Sequence, residues 1–363
     1  MRHWWRPEPT AHAALPHSPL LTPPHSPLLS LLFPLLLPLS WLFGGLATLR
    51  RMLYRTGLLR VTRVVVPVII VGNLTAGGSG KTPLVIALAQ ALRAAGYSPG
   101  VISRGYGGAH AASGDAPLDV SPDTDPARCG DEPLLIRRRA NVPVFVSRNR
   151  PRAAQALLAA HPSVNVILSD DGLQHYALAR DIEIVVFDAR GAGNGRLLPA
   201  GPLREPLTRA RSVSAIVHNV PDGKAAEIGS HQGFPPGFNM RFVPLPCYRL
   251  IDPAETCAAD SLAARAAHGR LGAVAGIGHP ARFFDTLREA GLVFSAHPFP
   301  DHHAFTQTDL AKIDADTIVM TEKDALKCVA FTDARIWVLP VEANIDPALV
   351  TLILEKLRGR QAA

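Results

Sequence analysis

The chain is poor in cysteine: 363 residues carry four, Cys129, Cys247, Cys257 and Cys328, and no two are spaced as C-x-x-C. That argues against a disulfide framework or a zinc site and points to a reducing cytosol. Aromatic residues are also sparse, at 6%, and are not interleaved with basic ones. A stacking platform for bases is thereby excluded, and no nucleic-acid partner is expected. The net charge of +7, from 37 basic and 30 acidic residues, suits anionic lipid or phosphate partners. One stretch has no charge at all: residues 27–49, PLLSLLFPLLLPLSWLFGGLATL, long enough to cross a bilayer. No small-x-small cleavage site follows it, which disfavours a signal peptide, and Pro34 and Pro38 disfavour a buried core helix. Arg50, Arg51, Arg55, Arg60 and Arg63 follow, a cluster that holds the next domain on the cytoplasmic side of a membrane. Membrane attachment is expected, with spanning and interfacial geometries both open.

What is abundant is strand–turn–helix grammar. Residues 64–96 read VVVPVIIVGNLTAGGSGKTPLVIALAQALRAAG. A β-branched run leads into a glycine-rich turn and then into a segment with apolar Leu84, Val85, Leu88 and Leu92. Gly77, Gly78 and Gly80 let backbone N–H groups turn inward, and a helix starting near Lys81 aims its positive dipole end at the same point. This is the arrangement of a phosphate-binding loop, Thr75-Ala76-Gly77-Gly78-Ser79-Gly80-Lys81-Thr82. Lys81 reaches terminal phosphates and the Thr82 hydroxyl can ligate Mg²⁺, so a nucleotide site is expected. The pattern G-x-x-x-x-G-K-[ST] departs at its first position, where this chain has Thr75.

Strands and helices then alternate, which predicts an α/β fold with a doubly wound, mostly parallel sheet. The predicted organisation is a disordered extension over 1–26, carrying a PHSPLL repeat, then a membrane-associated helix over 27–49. A phosphate-loop core domain follows over 50–245, with 220–245 as a connector, and a smaller α/β domain over 246–363. Ligands of open α/β sheets bind beyond the carboxyl ends of strands, and several polar clusters sit there. Asp170 and Asp171 end the strand VNVILS, where carboxylates hold Mg²⁺. Arg104, in SRGYGG at 103–108, offers a phosphate grip, although a plain glycine turn has the same composition. Asp131-Glu132-Pro133 reads as ordinary helix-start chemistry. Asp301-His302-His303 suits acid–base work, a metal or an N-terminal cap alike.

Taken as a set, VGNLTAGGSGKTP at 71–83, SRGYGG, GDEP at 130–133, DDGLQH at 170–175, LPAGPLRE at 198–205, GIGHPARFF at 276–284, DHH at 301–303 and TEKDALK at 321–327 resemble the tetraacyldisaccharide 4′-kinases. These are the lipid A 4′-kinases of Gram-negative bacteria. The resemblance implies ATP- and Mg²⁺-dependent phosphorylation of the 4′-hydroxyl of an acylated glucosamine disaccharide 1-phosphate, giving lipid IVA, at the cytoplasmic face of the inner membrane. It implies that Asp131 and His302, rather than His303, activate the sugar hydroxyl, and that residues 75–82 hold the nucleotide. Thr82, Glu132, Asp170 and Asp171 are the implied metal ligands, and Arg104 is assigned to the substrate's 1-phosphate. Two rival classes fit less well. Partitioning-type ATPase switches carry a lysine before the paired glycines, where this chain has Ala76, and a nucleic-acid ATPase lacks its aromatic platform here.

Overall fold

A computed structural model describes residues 27–110, 116–220, 233–262 and 269–361. The predicted extension over 1–26 lies outside the described residues.

In chain order the strands are β1 Val68–Gly72, β2 Pro99–Ser103, β3 Leu118–Asp119, β4 Val144–Val146, β5 Val166–Asp170, β6 Ile182–Asp188, β7 Ala215–Asn219 and β8 Gly237–Pro244. There follow β9 Cys247–Arg249, β10 Thr256–Cys257, β11 Leu271–Ala275, β12 Ser295–Pro298, β13 Thr317–Thr321, β14 Ile336–Leu339 and β15 Val341–Ile345. They form two sheets. The larger runs β15-β8-β7-β6-β1-β5-β2-β4-β3 and the smaller β10-β9-β14-β13-β11-β12. In the larger sheet β1 pairs in parallel with both β5 and β6, and only the edge pairs β15–β8 and β3–β4 are antiparallel.

The all-buried sequence of β1, VIIVG, explains its central place, because a strand covered on both faces needs no polar alternation. Ile69 and Val71 pack into one core cluster, while Val68 and Ile70 pack into the cluster on the opposite face. The helix Lys81–Ala94 lies on the first face and buries Leu84, Val85, Leu88 and Leu92, the positions its periodicity marks. From β1 the chain builds one flank of the sheet and then, after β5, the other. Its phosphate loop therefore opens at the switch point.

The end of the chain departs from expectation. Residues 246–363 do not all stay with the smaller sheet: β15 returns to pair with β8, with Ala343 opposite Phe242. The helix Pro347–Gln361 then packs Leu349, Ile353 and Leu357 into the core that holds Leu84 and Leu88. An amphipathic helix advertises an apolar face but not which sheet will cover it. The connector expected over 220–245 contains β8, a short alternation that buries Phe238 and Met240 between flanking prolines and Gly237. Edge strand β12, sequence SAHP, has no apolar pattern to betray it.

The N-terminal helix runs from Pro27 to Arg55, beyond the limit expected at Leu49 and straight through Pro34 and Pro38. A narrow stripe docks it to the larger lobe. Ser40 Oγ donates to the Leu197 carbonyl at 2.8 Å, Gly44 lies so close to Leu197 that a Cβ would collide, and Arg51 donates to Ser212 Oγ at 3.0 Å. Leu35, Leu39, Trp41, Leu42, Leu46 and Leu49 are left exposed. Among the described residues no helix is long and apolar enough to cross a membrane.

Candidate active site

The phosphate loop is preformed. Gly77 and Gly80 adopt φ of 101° and 93°, conformations that a side chain would strain. Asn73 Nδ2 donates to the Gly77 carbonyl at 3.1 Å, Asn219 Nδ2 to the Ser79 carbonyl at 3.0 Å, and Ala76 N to the Pro202 carbonyl at 2.8 Å. Thr75 is not among the positive-φ residues, so the missing glycine of the sequence pattern costs no strain here. Thr75 Oγ1 and Ser79 Oγ are buried and find no hydrogen-bond partner, leaving two hydroxyls available to an incoming anion. Gly78, Ser79, Gly80, Lys81 and Thr82 line a cavity whose far wall is the apolar set Ile86, Leu135, Phe242, Phe283 and Leu339. Phosphate chemistry at one end and flat apolar surface at the other suit a nucleotide.

The two aspartates that end β5 part company. Asp171 sits at φ 48° and faces Lys81 at 3.5 Å and Arg204 at 3.4 Å. Burial works against its charge, but the two cations hold its carboxyl well below the usual carboxylate range. Asp171 is thus engaged in ion pairs with Lys81 and Arg204. Asp170 is 1% exposed, and its Oδ1 has no hydrogen-bond partner. Burial first, and the Glu132 carboxylate second, push it up to about 7. Such a carboxylate suits a cation. Among the described residues no group of three or more His, Cys, Asp or Glu side chains is placed to hold a metal by itself. Asp170, Glu132 and the Thr82 hydroxyl nonetheless fit the sparse donor set of a kinase Mg²⁺, which completes its shell with phosphates and water.

Behind Asp170 lies a residue that the sequence reading missed. Arg150, 1% exposed, donates to the Ser147 carbonyl at 3.1 Å and the Asp170 carbonyl at 2.8 Å, tying the ends of β4 and β5 together. Its position in the first turn of the helix Arg150–Ala160, just after a strand, was the available signal.

Asp131 and His302, 171 residues apart, meet across the two lobes. Asp131 opens the helix Asp131–Ala140 behind Gly130, whose φ is 89°, and is 5% exposed. Its Oδ1 accepts from Glu132 N at 2.9 Å, and its Oδ2 lies 3.1 Å from His302 Nδ1. His302 reaches this point from a left-handed backbone, φ 61°, fixed by its own N–H donating to the Gly276 carbonyl at 3.1 Å. The hydrogen bond to Asp131 outweighs burial and raises the imidazole pKa. Burial opposes ionisation of Asp131, yet the His302 hydrogen bond and the charges of Lys323 and Lys327 keep its carboxyl below the ordinary range. His303 turns away, pairing with Asp309 at 3.2 Å between the rings of Phe299 and Phe305.

The pair opens onto a cavity of about 780 Å³ that Arg104, Tyr106, Arg148 and Lys327 also line. Asp131 faces this cavity and its neighbour Glu132 faces the phosphate-loop cavity. An acceptor and a donor can therefore meet at one helix start.

Comparison with known proteins agrees with this layout. A sequence model described as tetraacyldisaccharide-1-P 4'-kinase matches residues 32–358. A tetraacyldisaccharide 4'-kinase of Dechloromonas aromatica is 51% identical over 91% of this chain and 94% of its own length. One from Azoarcus sp. is 47% identical over 97% and 99%. A crystal structure of LpxK from Aquifex aeolicus in complex with ATP superimposes with a TM-score of 0.73 at 28% identity, over 91% of this chain and 99% of that one. Matched along nearly its whole described length, the chain belongs to the tetraacyldisaccharide-1-P 4'-kinase family.

Proposed function

We propose that the protein transfers the γ-phosphoryl group of ATP to the 4′-hydroxyl of tetraacyldisaccharide 1-phosphate, forming lipid IVA in lipid A biosynthesis. One observation carries this reading: the Asp131–His302 pair, 3.1 Å apart, stands between an acceptor-sized cavity and a preformed phosphate loop. A sugar hydroxyl is a poor nucleophile at neutral pH. His302, with Nδ1–H donated to Asp131, presents Nε2 as the proton acceptor, and Asp131 stabilises the imidazolium that results. Lys81 and the loop N–H groups meet the charge that builds on the transferred phosphoryl group. Mg²⁺, held by Thr82, Asp170 and Glu132, would supply further neutralisation of the phosphates. Arg104 and Arg148 are the cations available to the acceptor's 1-phosphate. The test is transfer of label from [γ-³²P]ATP to tetraacyldisaccharide 1-phosphate by purified protein. Hydrolysis of ATP with no labelled lipid would reject the reading.

The same reading places the enzyme on the cytoplasmic face of the inner membrane. The support is the exposed apolar face of the N-terminal helix, followed by arginines that suit anionic headgroups. Replacing Leu39, Leu42 and Leu46 by serine spares the docking stripe at Ser40 and Gly44. It should raise the KM for lipid more than that for ATP and weaken binding to anionic vesicles. The remaining arginines, about 1 kcal/mol each near the surface, should make the residual binding salt-sensitive. A triple variant that stays vesicle-bound at high salt would count against this anchor.

A further inference from the structure

The run Thr321–Lys327 carries a lysine that the reaction scheme above does not use. Its scaffold is rigid. Thr321 Oγ1 donates to Asp324 Oδ2 at 2.7 Å, and Asp324, fully buried, accepts from Gly276 N at 2.8 Å. Asp324 thereby ties the short helix Glu322–Ala325 to the Gly276–Gly278 turn, and that turn lies against the phosphate loop at Gly78. From this base Lys323 reaches into the seam between the lobes. Its Nζ lies 3.0 Å from Glu132 Oε1, 3.6 Å from Asp301 Oδ1 and 3.8 Å from Asp131 Oδ2, with the side chain 16% exposed.

Two of those three carboxylates belong to the other lobe. A buried ammonium is costly unless paired, so Lys323 is fully satisfied only while the lobes are together. The converse holds for its partners. Without Lys323, Glu132 would stand beside buried Asp170, and Asp131 beside Asp301, with less compensation for their negative charge. Lys327 also lies 3.7 Å from Asp131, but it is braced within its own lobe by Asp324 at 2.9 Å and the His303 carbonyl at 3.1 Å. Arg139, 3.3 Å from Glu322, adds a second bridge along the same seam.

We propose that Lys323 is a positioning residue for phosphoryl transfer: delivered by the second lobe, its ammonium fixes Asp131 toward the acceptor cavity and Glu132 toward the phosphate loop, so that transfer proceeds only with the lobes together. The kinetic part of this inference rests on the kinase reading; the latch itself does not.

Two measurements on full-length protein keep these apart. In substrate-free protein, Lys323→Met should speed amide hydrogen exchange across 130–136 by roughly tenfold while β13 keeps its native protection. In the transfer assay the same variant should lose roughly 10²-fold in kcat with a small change in the KM for ATP. Its ratio of ATP hydrolysis to lipid phosphorylation should rise as water enters the loosened seam. Lys323→Arg, which keeps the charge, should restore most of both properties. Should the Met variant lose protection in β13 as well, Lys323→Gln takes its place with the same expected losses. Native exchange at 130–136 in the uncharged variants would overturn the latch, and equal kcat losses in Lys323→Arg and Lys323→Met would overturn the role of charge. Wild-type protein that fails to phosphorylate the lipid would instead reject the kinase reading and leave the exchange result standing.

Discussion

Lys81→Ala is expected to leave a folded protein whose phosphoryl transfer is slower by roughly 10³-fold. Lys81 is the first residue of the helix Lys81–Ala94, and its ammonium emerges where the loop N–H groups and the helix dipole converge. In the substrate-free protein it rests against Asp171 at 3.5 Å. Removing it does not strand that carboxylate, because Arg204 still faces Asp171 at 3.4 Å. The cost should therefore fall on the transition state rather than on the fold. Thermal unfolding of wild type and variant, set beside kcat for lipid phosphorylation, separates the two. Near-normal turnover in a purified Lys81→Ala protein would remove the basis for placing the nucleotide in this loop.

The next largest effect should separate adjacent histidines. His302→Ala is expected to lower kcat by roughly 10²- to 10⁴-fold with little change in the KM for ATP, because the lost group acts on the acceptor's proton. His303→Ala should change kcat little. It removes a ring from between Phe299 and Phe305 and a partner of Asp309, and so should cost about 1 kcal/mol of stability instead. Acidity supplies a second signature. On the proposed mechanism the competent base is neutral imidazole, and the hydrogen bond to Asp131 raises the pH at which His302 loses its proton. Transfer should accordingly fall off on the acid side at a higher pH than the ordinary histidine value of about 6.5. In Asp131→Asn that hydrogen-bonded carboxylate is gone, and the acid limb should move to lower pH while kcat drops. Plots of kcat against pH for the three variants test this. Equal losses at both histidines would assign the pair a structural role, and a greater loss at His303 would move the function by one residue.

The legible parts of this protein were those written locally. The buried strand, glycine turn and amphipathic helix of 64–96 carry their geometry in consecutive residues, and so does the alternation that makes the sheet parallel. Long-range placement was not legible in that way. Nothing in the composition of GDEP distinguishes an active carboxylate from a helix-start acid, because Asp131 occupies the first turn of its helix in either case. The second lobe, folding back to bring His302 within 3.1 Å, gives Asp131 a partner that a helix-start acid does not need. The resemblance to a family named the pair where residue-level reasoning could not. Asp170 and Asp171 show the opposite limit. The doublet looks like one carboxylate site, yet the left-handed backbone at Asp171 turns its charge toward Lys81 and Arg204. Arg150 escaped notice because a buried guanidinium bonded to carbonyl groups leaves no pattern of charge pairing in the sequence.

The return of β15 to the larger sheet has a consequence for how the protein is made. The lobe begun first during synthesis is completed only after every strand of the small sheet has been made, since Val341–Ile345 and the helix behind it follow Ile336–Leu339 in the chain. Until they emerge from the ribosome, β8 lacks its neighbour on one side and presents an open row of backbone donors and acceptors. A chain terminated just past residue 340 would hold every strand of the small sheet and an unfinished edge on the catalytic one. Such a fragment should be the form most prone to pairing with other nascent chains.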